Sequence, residues 1–241
     1  MINPYAYSVS GGTDPYFSSV ISLAHFDGTN GDTGPFADQI AARSPGWTRI
    51  ATGPQLSTSQ KKYGTAALDN QSVGIYNADH ADWDFGSGDF TLEFWVYFNS
   101  LTDPGDGYTV LSFKGTTGGF GPWIVLKVAG AIYFRMSTSG SSWVYNVNGN
   151  VLSATTWHHI AMCRSGTSAY GFCDGVQVGS TGSVSGALVS NSAAVTFGSY
   201  GTGAGANTTQ LNGYFDDMRV TKGVARYTSN FTPPTAAFPN S

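Results

Sequence analysis

An all-β chain, an antiparallel sandwich of two stacked sheets or jelly roll, is what this sequence predicts, and three observations carry the prediction. Glycine, serine and threonine supply 84 of 241 residues, a composition that favours turns and strands over helices. Of the 15 acidic residues only Glu93 is a glutamate. Aspartate caps and turns, whereas glutamate fills helix surfaces. Short β-patterned runs recur every 10 to 15 residues, broken by Gly, Asp and Ser.

The expected strands begin with Val20–Phe26, Ala66–Leu68 and Val73–Tyr76. Thr91–Phe98 sets Leu92, Phe94, Val96 and Phe98 against Thr91, Glu93, Trp95 and Tyr97. That period of two marks a strand with two different faces. Thr109–Lys114, Trp123–Val128 and Ala131–Met136 follow, the last two joined by a tight hairpin at Ala129-Gly130. Trp143–Asn148, His158–Arg164, Ala169–Cys173 and Val176–Gly179 continue the series, with a second hairpin signal at Asp174-Gly175. Val195–Gly198 and Tyr214–Thr221 close it. Residues 20–241 form one domain in this reading, since neither a repeat nor a break in composition divides them. Residues 1–19 stand apart as an arm whose Tyr5, Tyr7, Tyr16 and Phe17 offer rings for docking on another subunit. The tail from Phe231 carries three prolines and is expected to run as an extended wrap.

Composition also excludes classes. Charged residues make up 11%, and a net charge of −4 without a basic run excludes nucleic acid or an anionic membrane as the main partner. No stretch of 18 apolar residues offers a membrane-spanning helix. Met1–Gly12 lacks a basic segment followed by an apolar run and does not read as a secretory signal. The 34 aromatic residues exclude a disordered chain.

Several segments, taken together, resemble the laminin-G-like jelly rolls of the concanavalin A-like lectin/glucanase superfamily. They are Leu23–Gly28, Tyr63–Leu68, Asp84–Trp95, Thr156–His159, Phe172–Gly175 and Gly213–Thr221, in family order. Asp14–Val20 and Val220–Pro234 resemble a form found in tailed-phage structural proteins. The resemblance implies a two-sheet β-sandwich of the concanavalin A type. It does not fix function, because this fold serves hydrolases, lectins and passive structural modules.

Glycoside cleavage needs two carboxylates flanking the scissile bond. Glu93 shares its face with Thr91, Trp95 and Tyr97, so no acid pair forms there, and Asp82-Trp83-Asp84 reads as a turn. Ser and Cys nucleophile motifs are lacking. His158 and His159 are adjacent on a strand and point to opposite faces, one half-buried and one at the surface. If Cys163 pairs with Tyr170 around a four-residue loop Ser165–Ser168, Cys173 falls out of bridging register, whereas an odd loop would change that register; free thiols are the expectation. Gly198–Gly205 reads as a loop and not a phosphate cradle, because no helix follows it.

No cofactor is required in this reading. A structural calcium is the one candidate ion: Asp27–Asp38 offers Asp27, Asn30, Asp32 and Asp38. The resemblance places such an ion where the first strand meets the last, adding Asp217 or Asp216 and carbonyls near Asp27 and Gly28. The alternative is that these aspartates cap turns. Trp83, Trp95 and Trp157 are assigned to the sandwich core. Tyr108, Trp123, Trp143, Tyr145 and Tyr200 lie by Gly/Ser loops or polar neighbours, where they serve either to stack on a glycan or to anchor a neighbouring subunit.

The expected function is that of a non-enzymatic virion protein: a capsid decoration, head-fibre or tail-associated component on the particle surface, released by lysis. It displays a lectin-like domain and contacts other virion proteins or its own copies. The alternative is a carbohydrate-binding module or receptor-binding protein for host surface glycans, and the third is a glycoside hydrolase-like enzyme.

Overall fold

Alternation along the chain decides which residues face inward. The computed structural model describes residues 12–43, 46–116, 118–202 and 209–241. In chain order the strands are β1 (Val20–Ala24), β2 (Thr48–Arg49), β3 (Gln55–Ser57), β4 (Ala67–Asp69), β5 (Ile75–Asn77), β6 (Phe90–Phe98), β7 (Thr109–Lys114) and β8 (Trp123–Val128). Then come β9 (Ala131–Met136), β10 (Tyr145–Val151), β11 (Trp157–Ser165), β12 (Ser168–Cys173), β13 (Val176–Gln177), β14 (Gly182–Ser183), β15 (Val195–Phe197) and β16 (Gly213–Lys222). The helical pieces are single 3-10 turns at Phe17–Ser19, Ala41–Arg43 and Ala81–Trp83. Among the described residues, no helix is long and apolar enough to cross a membrane.

Two antiparallel sheets result. One has nine strands in the order β13-β12-β11-β6-β16-β4-β3, with β1 also on β16 and β14 also on β12; the other has seven, β10-β9-β8-β7-β15-β5-β2. Leu92, Phe94, Val96 and Phe98 of β6 point between the sheets and meet Leu111, Trp123, Val125, Phe134 and Phe197 from the opposite layer. Phe94 meets Phe197 edge-on at 5.3 Å. Each large apolar side chain buried this way contributes roughly 1.5–3 kcal/mol. Sheet separation also depends on Gly171, where a Cβ would stand 2.2 Å from the Phe134 ring.

Both hairpin signals form two-residue turns with positive φ at each centre: Ala129 and Gly130 at 47° and 80°, Asp174 and Gly175 at 50° and 76°. Cys163 pairs with Tyr170 and Cys173 with Ile160, and both thiols are free. Three short strands, β2, β3 and β14, were not legible as β runs, because two or three residues carry no period.

The outer face of the nine-stranded sheet is covered by the chain's own ends. Residues 223–241 run across it without a strand. Phe231 N–H donates to Gly175 O at 2.9 Å, Tyr63 Oη to Pro234 O at 2.5 Å, and Phe238 N–H to Asp217 Oδ2 at 2.8 Å. Asp14 N–H donates to Ser241 O at 2.7 Å, tying the two ends together. Under this cover lies a buried charged network. Arg219 Nη2 reaches Glu93 Oε1 at 2.8 Å, Arg226 Nη2 reaches Asp14 Oδ2 at 2.7 Å, and Arg219 Nη1 reaches Asp14 at 3.0 Å. Tyr227 Oη donates to Glu93 Oε2 at 2.9 Å. Burial alone would raise the Glu93 carboxyl, but Arg219, His159 and Arg226 outweigh it and hold it at about 2.

Four expectations are corrected here. Trp95 lies on this outer face, against Tyr63, His159 and the Lys62 ammonium, and not in the sandwich core. Trp157 lies beside Tyr97 on the same face. His159 is fully buried beneath the tail, not at the surface. Tyr16 and Phe17 are packed on the chain's own body, Tyr16 5.5 Å from the Arg226 guanidinium and Phe17 against Val20, Leu23 and Phe238. Neither is a free docking ring, and Tyr5 and Tyr7 lie outside the described residues.

Candidate functional site: an aromatic cleft on the seven-stranded sheet

The outer face of the seven-stranded sheet is apolar where a solvated sheet would be polar. In β8, Trp123 and Val125 turn inward while Ile124, Leu126 and Val128 turn outward. A bulge in β7 between Val110 and Ser112 lets Val110 and Phe113 both face out while Leu111 faces the core. One register row then crosses four strands: Phe113, Ile124, Arg135 and Asn146.

Loops raise walls around this floor. Tyr108 precedes β7, Phe120 sits in the β7–β8 loop, Trp143 precedes β10, and Tyr200 follows β15. The enclosed cleft measures about 390 Å³, within the size of small-ligand sites. Tyr200 packs on Phe113 at 4.6 Å and on Tyr108 at 6.1 Å, forming one wall. Trp143 and Phe120 pack at 5.0 Å and form another. Phe120 is 37% exposed, and Val144, which follows Trp143 in the chain, is 43% exposed. Polar groups ring the opening. Arg135 Nε donates to Asn146 Oδ1 at 3.0 Å, and its guanidinium lies 5.3 Å from the Tyr133 ring. Tyr200 Oη donates to Gly119 O at 3.2 Å. Burial pushes the Tyr108 and Tyr200 hydroxyls up, so both remain protonated at neutral pH. Among the lining residues Asp106 is the single carboxylate.

Such a cleft suits a ring that is apolar on its faces and polar at its edge. It does not supply the acid pair that glycosidic cleavage needs. Three of the five sequence-predicted aromatics, Tyr108, Trp143 and Tyr200, converge here. The other two are corrected: Trp123 and Tyr145 are buried in the sandwich core, at 0% and 1% exposure, and cannot touch a ligand. Phe120, Arg135 and the Ile124–Leu126–Val128 floor were missed. Apolar residues on both faces of Trp123–Val128 were the available signal, since a strand apolar on both sides must be covered twice.

The calcium candidates do not converge. Asp27 accepts from the Thr65 backbone and from Thr65 Oγ1 at 2.9 Å, and Gly28 N–H donates to the same hydroxyl at 3.1 Å. Asp38 accepts from Ser22 Oγ, from the Leu23 and Ile40 N–H groups at 3.0 and 2.9 Å, and from Trp47 Nε1 at 3.3 Å. Asp217 meets His25 Nδ1 at 2.6 Å and Phe238 N–H. Asn30 accepts from Thr58 N–H at 3.1 Å and Asp32 from Gly34 N–H at 3.0 Å. Each side chain holds a different stretch of backbone, and the set does not fit one ion.

Asp216 is unlike the others. Its Oδ2 accepts from Lys62 and Tyr63 N–H at 2.6 and 3.1 Å, yet burial, with a smaller push from Asp217, raises its carboxyl from 3.8 to about 8. A folded value above the unfolded one means that this contribution to stability is full below about pH 4 and is lost as pH rises toward 8. Asp216→Asn keeps the acceptor and removes the charge. The variant is expected to exceed the parent in urea stability at about pH 9 and to match it at about pH 4, by up to several kcal/mol at roughly 1.4 kcal/mol per unit. Equal stability at both pH values overturns this.

Comparison with known proteins agrees with the architecture. A family model described as the concanavalin A-like lectin/glucanases superfamily, laminin G type, matches residues 69–226. Among curated proteins none matches the sequence. Of the solved structures, the botulinum neurotoxin serotype D binding domain aligns with a TM-score of 0.61 at 10% identity, covering 88% of this chain and 51% of its own. The binding domain of Paraclostridial Mosquitocidal Protein 1 aligns at 0.60 and 15% identity, with 88% and 51% coverage. A serotype D ligand-binding domain in complex with N-acetylneuraminic acid aligns at 0.60 and 9% identity, with 88% and 49% coverage. This chain thus spans about half the length of those it matches, and at these identities the likeness is one of fold.

Proposed function

This chain belongs to the concanavalin A-like lectin/glucanases superfamily, and from that premise we propose that it is a non-enzymatic carbohydrate-binding module whose ligand sits in the aromatic cleft of the seven-stranded sheet. The cleft carries the reading. Two ring walls stand on an apolar floor, and hydroxyl, guanidinium and carboxylate groups line its edge. Sugar rings present C–H faces that pack on aromatic faces, and hydroxyls that need partners at the periphery. A toxin chain of the same fold that takes N-acetylneuraminic acid agrees with a sugar ligand.

The test is a glycan array on the full chain, followed by titration calorimetry with the best ligand. Trp143→Ala removes half of one wall at a half-buried position. It is expected to weaken binding by about tenfold or more while leaving the melting temperature nearly unchanged. Absence of any glycan ligand, or affinity untouched by Trp143→Ala, overturns the assignment.

A second reading concerns where the module is displayed. The segments that resemble tailed-phage structural proteins, Asp14–Val20 and Val220–Pro234, fold against each other through Asp14 and Arg226. Their joining makes one terminal clasp, and their resemblance to tailed-phage proteins is what supports a role on a phage particle, in contact with virion proteins or with copies of itself. Density for this sandwich on an intact particle is the observation that tests it.

A further inference from the structure

In the nine-stranded sheet, the β12–β13 turn and the start of β11 gather three side chains that the glycan reading does not use. His158 Nδ1 lies 2.7 Å from Asp174 Oδ2, and Cys173 Sγ lies 3.9 Å from the same oxygen. All three atoms fall within 4.8 Å of one another, and among the described residues they are the one such group of His, Cys, Asp or Glu. We propose that His158, Cys173 and Asp174 bind one divalent cation of the zinc class.

The geometry supports this in three ways. A tetrahedral Zn2+ with bonds of about 2.0–2.3 Å sets neighbouring ligand atoms roughly 3.2–3.7 Å apart. The separations here, 2.7 and 3.9 Å with the third no longer than 4.8 Å, lie within about an ångström of that spacing. The second shell is also in place. His158 Nε2 accepts from the Ser153 N–H at 3.1 Å and lies 3.1 Å from the Ser153 carbonyl oxygen. In the metal-free chain the Nδ1 proton lies between His158 and Asp174, and its transfer to Nε2, which has the Ser153 carbonyl within reach as acceptor, frees Nδ1 to ligate, the arrangement metal-bound histidines use. Asp174 Oδ1 is held by His159 N–H at 2.8 Å, which fixes the carboxylate and leaves Oδ2 to ligate.

The donor set decides the cation. One sulfur, one imidazole nitrogen and one carboxylate oxygen suit zinc and disfavour calcium or magnesium, which want oxygen alone. Binding displaces the Cys173 thiol proton to solvent, while the His158 proton moves from Nδ1 to Nε2. Two ligands are buried while Asp174 is exposed, so the fourth position opens toward water on the Asp174 side. The ion would join β11, the end of β12 and the turn that the C-terminal tail covers through Phe231.

The experiment uses the full chain stripped with chelator, then loaded with Zn2+ or Co2+ and desalted. The expected results are close to one Zn2+ per chain and, with Co2+, a thiolate-to-cobalt charge-transfer band with tetrahedral visible bands. Cys163→Ala, which alters the other thiol, retains both signals, whereas Cys173→Ala loses both. Asp174→Asn, at an exposed position, weakens Zn2+ by about tenfold or more. Far-ultraviolet circular dichroism on the metal-free variants separates lost binding from lost folding. No retained metal in the parent chain, or a cobalt band that survives Cys173→Ala in folded protein, overturns the proposal.

Discussion

Glu93→Ala is expected to lower the unfolding free energy by about 3–5 kcal/mol in urea titration, the cost of breaking a buried ion network from one side. The magnitude follows from what is left behind. Glu93 is fully buried, and its oxygens serve Arg219 and Tyr227. Without it, Arg219 and Arg226 face each other with Asp14 as the sole counter-charge among the contacts described. Two cations in low dielectric then share one anion, and the Tyr227 hydroxyl loses its acceptor. The same network predicts that stability is lost in acid. A carboxyl held at about 2 against an ordinary 4.5 contributes stability that is present above the unfolded value and lost as pH falls toward 2. A loss below about 1 kcal/mol in Glu93→Ala, measured against the median of exposed ion pairs, shows that the network is not formed.

Trp123→Ala is expected to cost about 3–5 kcal/mol of stability, the range for truncating a buried aromatic. Trp123 has no exposed surface, stacks on Phe85 at 5.0 Å and contacts Phe90 at 6.5 Å. Its removal leaves a cavity between the sheets and not a gap in the cleft. Trp143→Ala should do the reverse, with unchanged melting and weakened sugar binding. The two tryptophans come from the same sequence category, so the pair is a sharp discriminator. If Trp123→Ala melts like the parent, or abolishes glycan binding in protein of normal stability, the division between core and cleft is wrong.

The sandwich itself was legible because a strand's period of two survives in sequence. Thr91–Phe98 announced its two faces, and the register bears them out: Phe94 faces Phe197 while Glu93 sits under the tail. Hairpins were legible where residues that tolerate positive φ occupy both turn centres, as in Asp174-Gly175. The site was only half legible. Tyr108, Trp143 and Tyr200 carried turn or polar neighbours that marked them as surface residues. Trp123 and Tyr145 carried similar neighbours, yet alternation within their strands turns them inward. Position on a strand outweighed local composition. Arg135 and Phe120 gave no signal of their own, because their role comes from cross-strand neighbours distant in sequence. The mutual burial of Asp14, Glu93, Arg219 and Arg226 was equally invisible, since it joins residues up to 212 positions apart.

The hydrogen bond between Asp14 and Ser241 has a consequence for orientation. Both ends of the described chain leave the body from one spot, over the nine-stranded sheet, while the cleft opens on the opposite side. A tether fused at Ser241 therefore presents the binding face outward, with the whole thickness of the sandwich as a spacer. Immobilised by that end, the protein should keep its full ligand capacity on a sensor surface. Coupling through lysines should do the same, because Lys114 and Lys127 are buried and the others, Lys61, Lys62 and Lys222, lie in the β3–β4 loop and at the end of β16, both parts of the nine-stranded sheet.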